Sequence, residues 1–209
     1  MLVRERMRSP VVTIGAQASL REAFQLLESR GFRHLPVLAE GRLVGVLTDR
    51  DLRWATSSLC PAPRTIDEPV RTAMSTPPFT ADPLDPVEDA ARIMREHKIG
   101  CLPVMDGAEL VGILTGMDIL DALILLTGVT RPSSRLEVAL TDRPGELARL
   151  TAFLAARQVN IHSILTYPGP DQTVRTVLRV GSSQIRPLAE DLRQADFAIL
   201  WPLPKPWQP

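Results

Sequence analysis

The chain has 209 residues, 44% of them hydrophobic, and its 24 Lys plus Arg are balanced by 24 Asp plus Glu. That length and apolar content suffice for one large or several small buried cores, while the lack of a basic surplus leaves little charge to release counterions from a phosphate backbone, so nucleic acid is not an expected partner. Two cysteines, Cys60 and Cys101, outside any zinc-ligand spacing argue against a disulfide framework or a metal site, and with no signal-peptide pattern at Met1-Leu2-Val3-Arg4-Glu5-Arg6 and no run near the roughly 20 apolar residues a bilayer needs, a cytoplasmic protein without a membrane partner is expected.

In chain order, Ser9-Pro10-Val11-Val12-Thr13-Ile14 reads as extended, because proline disfavours the helical region before it and β-branched residues follow. Ser19 then caps a helix with Leu20, Ala23, Phe24, Leu26 and Leu27 on one face and Glu22 three residues after the cap. The helix ends near Gly31. Leu35-Pro36-Val37-Leu38 and Leu43-Val44-Gly45-Val46-Leu47 read as short strands joined at Glu40-Gly41, with a second helix starting at Thr48 or Asp49. Cys60-Pro61-Ala62-Pro63-Arg64 is a proline-rich bridge.

The same order then returns. Positions 103 and 36, 112 and 45, 115 and 48, and 118 and 51 all differ by 67, and the same offset pairs Met7 with Met74, Pro10 with Pro77 and Thr13 with Thr80, so a whole unit is duplicated. In the second copy Pro83 and Pro86 introduce a helix whose apolar face is Val87, Ala90, Ala91, Ile93 and Met94. The apolar stretch Ile119 to Val129 reads as a buried helix. Each copy alone is too small to bury both faces of its sheet, so the two are expected to pack together.

The spacing of Thr48 and Asp51, and of Thr115 and Asp118, places a hydroxyl and a carboxylate one turn apart where a strand enters a helix. Free amides there favour anions, and the carboxylate can accept hydrogen bonds from both hydroxyls of a ribose. The same spacing is also that of a capping box, in which the two side chains satisfy the helix start and nothing else. Both readings stay open, and the two roles can coexist.

The Gly-apolar-apolar-Thr-x-x-Asp ending after a Leu-Pro-Val strand, twice in register, resembles the CBS domain, and the pair resembles a Bateman module. The resemblance implies an adenosine ligand such as AMP, ADP, ATP or S-adenosylmethionine held between the repeats. Its walls would be Thr13, Pro36, Thr48 and Asp51 from one copy and Thr80, Pro103, Thr115 and Asp118 from the other, with Arg33, His34 and Arg50 near phosphates. The matching places in the second copy, Gly100, Cys101 and Met117, are not cationic, so the two sites are expected to be unequal.

After the polar linker Thr130 to Ser134 the pattern changes. Arg135 to Leu140 alternates as a half-buried strand, Asp142-Arg143-Pro144-Gly145 turns into a helix bearing Leu147, Leu150, Thr151 and Leu154, and Val159 to Leu165 and Val174 to Val180 form a hairpin. Helix Ile185 to Gln194 and strand Ala198-Ile199-Leu200 close the unit. This βαββαβ order, with Asp-Arg-Pro-Gly-Glu-Leu at the first turn and Val-Asn-Ile opening the second strand, resembles the ACT domain. That resemblance implies pairing of two chains and a small effector, such as an amino acid, bordered by Asp142, Gly145, Asn160 and Ile161. A turn that merely caps the next helix explains Asp142 to Gly145 equally well.

A CBS pair followed by an ACT-like domain is similar to the acetoin-utilisation regulatory (AcuB) family. The fold expected is α/β (α+β), with repeats at 1–60 and 61–130, a linker at 131–134, a ferredoxin-like ACT domain at 135–201 and a proline-rich tail at 202–209. His34, His97 and His162 are scattered and no nucleophile elbow, P-loop or dinucleotide fingerprint is present. The function expected is a non-enzymatic sensor without a cofactor or metal, a homodimer whose adenine-nucleotide occupancy is relayed to the ACT-like domain or to a regulated enzyme. The alternatives are a docking module with no small ligand and an amino-acid sensor.

Overall fold

The capping pattern at Ser19 forms as read. In the computed structural model, which describes residues 1–203, the Ser19 amide donates to Glu22 Oε2 at 2.7 Å and the Glu22 amide to Ser19 Oγ at 3.2 Å. Helix Leu20–Arg30 (α1) then runs to Gly31 at φ 63°, a left-handed stop that glycine supplies without a Cβ penalty. Of the tail, Pro204, Lys205, Pro206 and Trp207 lie outside the described residues.

Ile14–Gly15 (β1) pairs parallel with His34–Ala39 (β2), which pairs antiparallel with Arg42–Thr48 (β3). Glu40 and Gly41, both at positive φ, make the two-residue turn between β2 and β3. Asp49–Ala55 (α2) follows. The second copy repeats this as Val87–His97 (α3), Cys101–Asp106 (β4), Glu109–Thr115 (β5) and Gly116–Thr127 (α4). Its first strand is reduced to a single bridge, Ala81 with Val104, so its sheet has two strands where the first copy has three.

The two copies exchange their leading segments. Val3 is fully buried in the second core with Ala90, Met94, Leu102, Val104 and Leu114, and Val70, at the matching position, is fully buried in the first core with Leu20, Leu35, Val37 and Leu47. The sequence repeat and the packed body therefore do not coincide, and neither core is complete without the other copy's leading segment. The exchange depends on Gly45 and Gly112, over which Met74 and Met7 lie. A Cβ on Gly45 would stand 2.7 Å from Met74 Sδ and 2.8 Å from the Ser75 carbonyl oxygen.

Helix α4 corrects one expectation. It forms, but it is not buried: Leu120, Leu123, Ile124, Leu125 and Leu126 are each 44–52% exposed, and only Asp118 and Ala122 lie inside. Apolar composition on every side of a helix implies neighbours on every side, and among the described residues those neighbours are missing.

The chain divides into two compact units, Met1–Ala122 and Leu123 onward. In the second, Ser134–Thr141 (β6), Glu146–Ala156 (α5), Ile161–Pro168 (β7), Thr173–Val180 (β8), Ile185–Gln194 (α6) and Ala198–Trp201 (β9) build an antiparallel sheet of order β7-β8-β6-β9, the βαββαβ arrangement expected. Leu136, Val138 and Leu140 of β6 and Leu178 of β8 meet Leu150, Leu154, Leu188, Leu192 and Phe197 in its core. Beside Leu136, Glu137 is buried and accepts hydrogen bonds from Tyr167 Oη at 2.7 Å and Arg135 at 2.6 Å. Burial pushes its carboxyl up, but these two donors and the Arg175 guanidinium outweigh that and leave it below its ordinary 4.5.

Candidate functional site

Each strand-to-helix corner closes as a capping box. In the first, the Thr48 amide and Oγ1 both donate to Asp51 Oδ2, at 3.0 and 2.8 Å, and the Asp51 amide donates to Thr48 Oγ1 at 3.1 Å. In the second, Thr115 and Asp118 repeat all three bonds. The capping reading is therefore realised, and it uses one carboxylate oxygen in each corner.

The corners differ in what meets the other oxygen. Asp118 is 5% exposed, and its Oδ1 accepts from Arg8 Nε at 3.0 Å, a residue 110 positions away. At the first corner the residue in register with Arg8 is Ser75, and among the described residues no hydrogen bond reaches Asp51 Oδ1. Asp51 instead lines a pocket of about 330 Å³, within the range of small-molecule sites, together with Trp54, Ala55, Cys60, Pro61, Ala62, Arg64, Thr72 and Ala73. The walls come from α2, from the proline-rich bridge, and from the leading segment that the second copy lends to the first. Asp51, Arg64 and Trp54 thus border one concavity, residue types able to hold a diol, an anion and a flat ring, while the Thr72 hydroxyl donates to the Pro69 carbonyl and Arg64 lies 3.9 Å from Glu68.

Of the other residues singled out from the sequence, Pro36 and Pro103 are buried within their strands, opposite Val46 and Ile113. Thr13 is half-buried just before β1, and Thr80 is exposed just before the Ala81 bridge. Arg33 and Arg50 are exposed. None of these six lines the pocket. His34, half-buried opposite Thr48, lies against Gly100, where a Cβ would stand 2.6 Å from its Nε2. Burial lowers its pKa from the ordinary 6.5, with Arg33 adding to the effect and Asp49 and Asp51 opposing it. Cys101, in register with His34, is 4% exposed, and burial followed by the charge of Asp51 pushes its thiol up to about 12. The Asp51 charge therefore acts on both copies.

Sequence reasoning missed Trp54, Arg64 and Thr72 as walls. Trp54 alone carried a signal, since it stands one helical turn after Asp51.

In the second unit, Asp142 and Gly145 sit beyond the end of β6 where Thr141 faces Thr173, with Gly145 at φ 95° starting α5. Ile161 faces Val180, at the other end of β8, and the Asn160 carbonyl accepts from the Gly181 amide. Seven steps of strand, about 24 Å, separate the two pairs, so one chain does not bring Asp142 and Gly145 to Asn160 and Ile161. At the first turn, Glu146 is held by Arg143 and Arg149 at 3.0 and 3.1 Å, and Gly145 gives α5 no side-chain cap. His162 Nδ1 is buried without a partner among the described residues.

Among the described residues no cluster of three metal-ligating side chains occurs, and no helix is long and apolar enough to cross a membrane.

The CBS domain pattern matches residues 3–57 and 70–125, and the ACT domain pattern matches 134–197. A CBS domain-containing protein of Dictyostelium discoideum is 34% identical over 143 residues, covering 64% of this chain and 99% of that protein. The solved CBS domain pair of protein MJ0100, in complex with 5′-methylthioadenosine and S-adenosyl-L-methionine, is 29% identical with a TM-score of 0.53, over 59% of this chain and 95% of that one. A Vibrio cholerae protein provisionally assigned to acetoin utilization (AcuB) is 31% identical with a TM-score of 0.53, over 64% of this chain and 98% of that one. The chain belongs to the CBS-domain family and carries a CBS pair followed by an ACT domain.

Proposed function

We propose that the protein is a non-enzymatic regulatory sensor that binds an adenosine-containing ligand at the Thr48–Asp51 corner. The observation that carries this reading is the state of Asp51: one oxygen caps α2, the other has no partner among the described residues, and the residue borders a pocket of about 330 Å³ with Trp54 and Arg64. A ribose diol donates to the spare oxygen, the adenine ring lies on the indole and phosphate or carboxylate meets the guanidinium. The ligands held by the MJ0100 pair support the ligand class.

Binding at this corner favours one packing of the exchanged segments, because Thr72 and Ala73 both line the pocket and lead into Met74 over Gly45. That is the differential contact a regulatory ligand needs. The recipient of the signal is the ACT domain or a regulated enzyme, with acetoin or amino-acid metabolism as the context. A homodimer is part of this proposal, supported by the uncovered apolar side chains of α4, and light scattering that returns the mass of one chain would remove it. An amino-acid effector at the ACT domain would have to be held by Asp142 and Gly145 of one chain with Asn160 and Ile161 of another.

With about 0.3 kcal/mol for each of roughly 23 heavy atoms, such a ligand binds with a Kd of about ten micromolar. Calorimetric titration with AMP, ADP, ATP and S-adenosylmethionine should give saturable heat for at least one, lost in Asp51→Ala. At a hundredfold excess over Kd the ligand should add about 2.7 kcal/mol of stability to the transition that belongs to the CBS pair. No heat from any of the four overturns the reading.

A further inference from the structure

The offset of 67 that relates the copies also relates the walls of the pocket to what stands at the second corner. Ala73, a wall of the first pocket, is matched by Arg6, and Ser75, next to it, is matched by Arg8. The backbone is the same in both places: Ser75 and Val46 exchange a pair of amide-to-carbonyl hydrogen bonds, and so do Arg8 and Ile113. Only the side chains differ. Arg6 has a buried Nε without a partner among the described residues, and Arg8 places its Nε 3.0 Å from Asp118 Oδ1. Both oxygens of Asp118 are thereby taken, one by Thr115 and one by Arg8, and Asp118 is 5% exposed.

We infer that the second corner is blocked by the chain itself, with the Arg8 guanidinium donating to Asp118 where the hydroxyls of a ribose would donate, so that each chain holds one adenosine-containing ligand, at Asp51. This rests on the reading given under Proposed function and adds to it a stoichiometry and a residue that sets it. A guanidinium on a buried carboxylate is a charge-assisted pair, and a neutral diol has to displace it. At Asp51 Oδ1 no hydrogen bond from the described residues has to be displaced. Arg8 itself remains 64% exposed at its side chain, so it blocks the corner without being needed to fill a core.

The test is titration of the full chain with AMP, ATP and S-adenosylmethionine, read as equivalents bound per chain. The wild type should bind one equivalent. The double variant Arg6→Ala/Arg8→Ser, which gives the crossing segment at the second corner the side chains found at the first, should bind two, and the added Asp118→Ala change should return it to one. The reciprocal variant Ser75→Arg should lower affinity at the first corner at least tenfold. Two equivalents in the wild type, one in Arg6→Ala/Arg8→Ser, or a single site lost with Asp118→Ala and kept with Asp51→Ala, each overturns the blocked corner while leaving a sensor. No heat in either the wild type or the double variant overturns the sensor, and the stoichiometry falls with it.

Discussion

The two strand-to-helix corners have the same threonine and aspartate and the same three capping bonds, yet Asp51 borders a pocket while Asp118 is buried against Arg8. What separates them is not in the Thr-x-x-Asp motif. It lies in the leading segment that crosses from the other copy: Ala73 lines the pocket with Asp51, whereas Arg8 reaches Asp118. The exchange of segments makes each site the joint product of two repeats, so divergence in a few crossing residues can close one site without touching the motif of either. The helices diverge in the same direction. α2 carries Arg50, Arg53 and Trp54 where α4 carries Met117, Leu120 and Asp121, and of these Arg53 and Asp121 are exposed as well.

The comparison is broken most strongly at the crossing point. The nearest atoms to an Ala at Gly45 include both Met74 Sδ and the Ser75 backbone oxygen, whereas the three nearest to an Ala at Gly112 all belong to the Met7 side chain. Gly45→Ala should therefore cost up to about 3 kcal/mol of overpacking and Gly112→Ala less, measured by chemical denaturation of the CBS-pair transition. Equal losses would mean that Ser75 gives way as easily as Met7.

At the corners themselves, Asp51→Ala removes a cap and should cost about 1 kcal/mol. Asp118→Ala removes a cap and the partner of Arg8, and should cost about 2 kcal/mol. An Asp51 loss as large as that of Asp118 would point to a partner on Asp51 Oδ1 and so argue against an open corner.

Smaller effects come from titration. His34 has a lowered pKa in the fold, so the unfolded chain binds the proton more readily; its share of stability is complete above 6.5 and is lost as pH falls through the lowered value. Glu137 behaves alike at lower pH, its share present above 4.5 and lost below its own lowered value. A first loss in His34→Gln that matches wild type below pH 6.5 would show that another group is responsible. Tyr167→Phe should cost about 1–2 kcal/mol near neutral pH and less once Glu137 is protonated.

The smallest effect is chemical. Cys60 lines the pocket and is half-buried, while Cys101 is buried with a thiol at about 12. Native protein should release one equivalent of thiol to a disulfide reagent and unfolded protein two, and a bound nucleotide should slow the native reaction. The raised thiol also works in the opposite pH sense from His34: its contribution is intact below 9.0 and is lost as pH rises towards 12.

Much of this was legible because it is periodic or local. The repeat offset, the capping boxes at Ser19 and Thr48, the Glu40-Gly41 turn and the βαββαβ order of the last third follow from side chains a few residues apart. The rest depends on residues brought together by chain crossing. Nothing local links Arg8 to Asp118, and only the offset, carried back to position 8 and compared with Ser75, would have flagged an arginine in place of a serine. Val3 and Val70 gave no sign of packing in each other's repeats. The apolar run of α4 suggested burial from composition, which counts side chains and not neighbours. Asp142 and Asn160 were grouped by resemblance, while the strand between them sets the distance.

The most direct measurement is a crystal structure of the full chain soaked or grown with AMP, ATP or S-adenosylmethionine. The account predicts a ribose whose hydroxyls lie within hydrogen-bond distance of Asp51 Oδ1, the base against Trp54, and Arg8 still on Asp118. A ligand seated at Asp118 with the Asp51 pocket empty would contradict it.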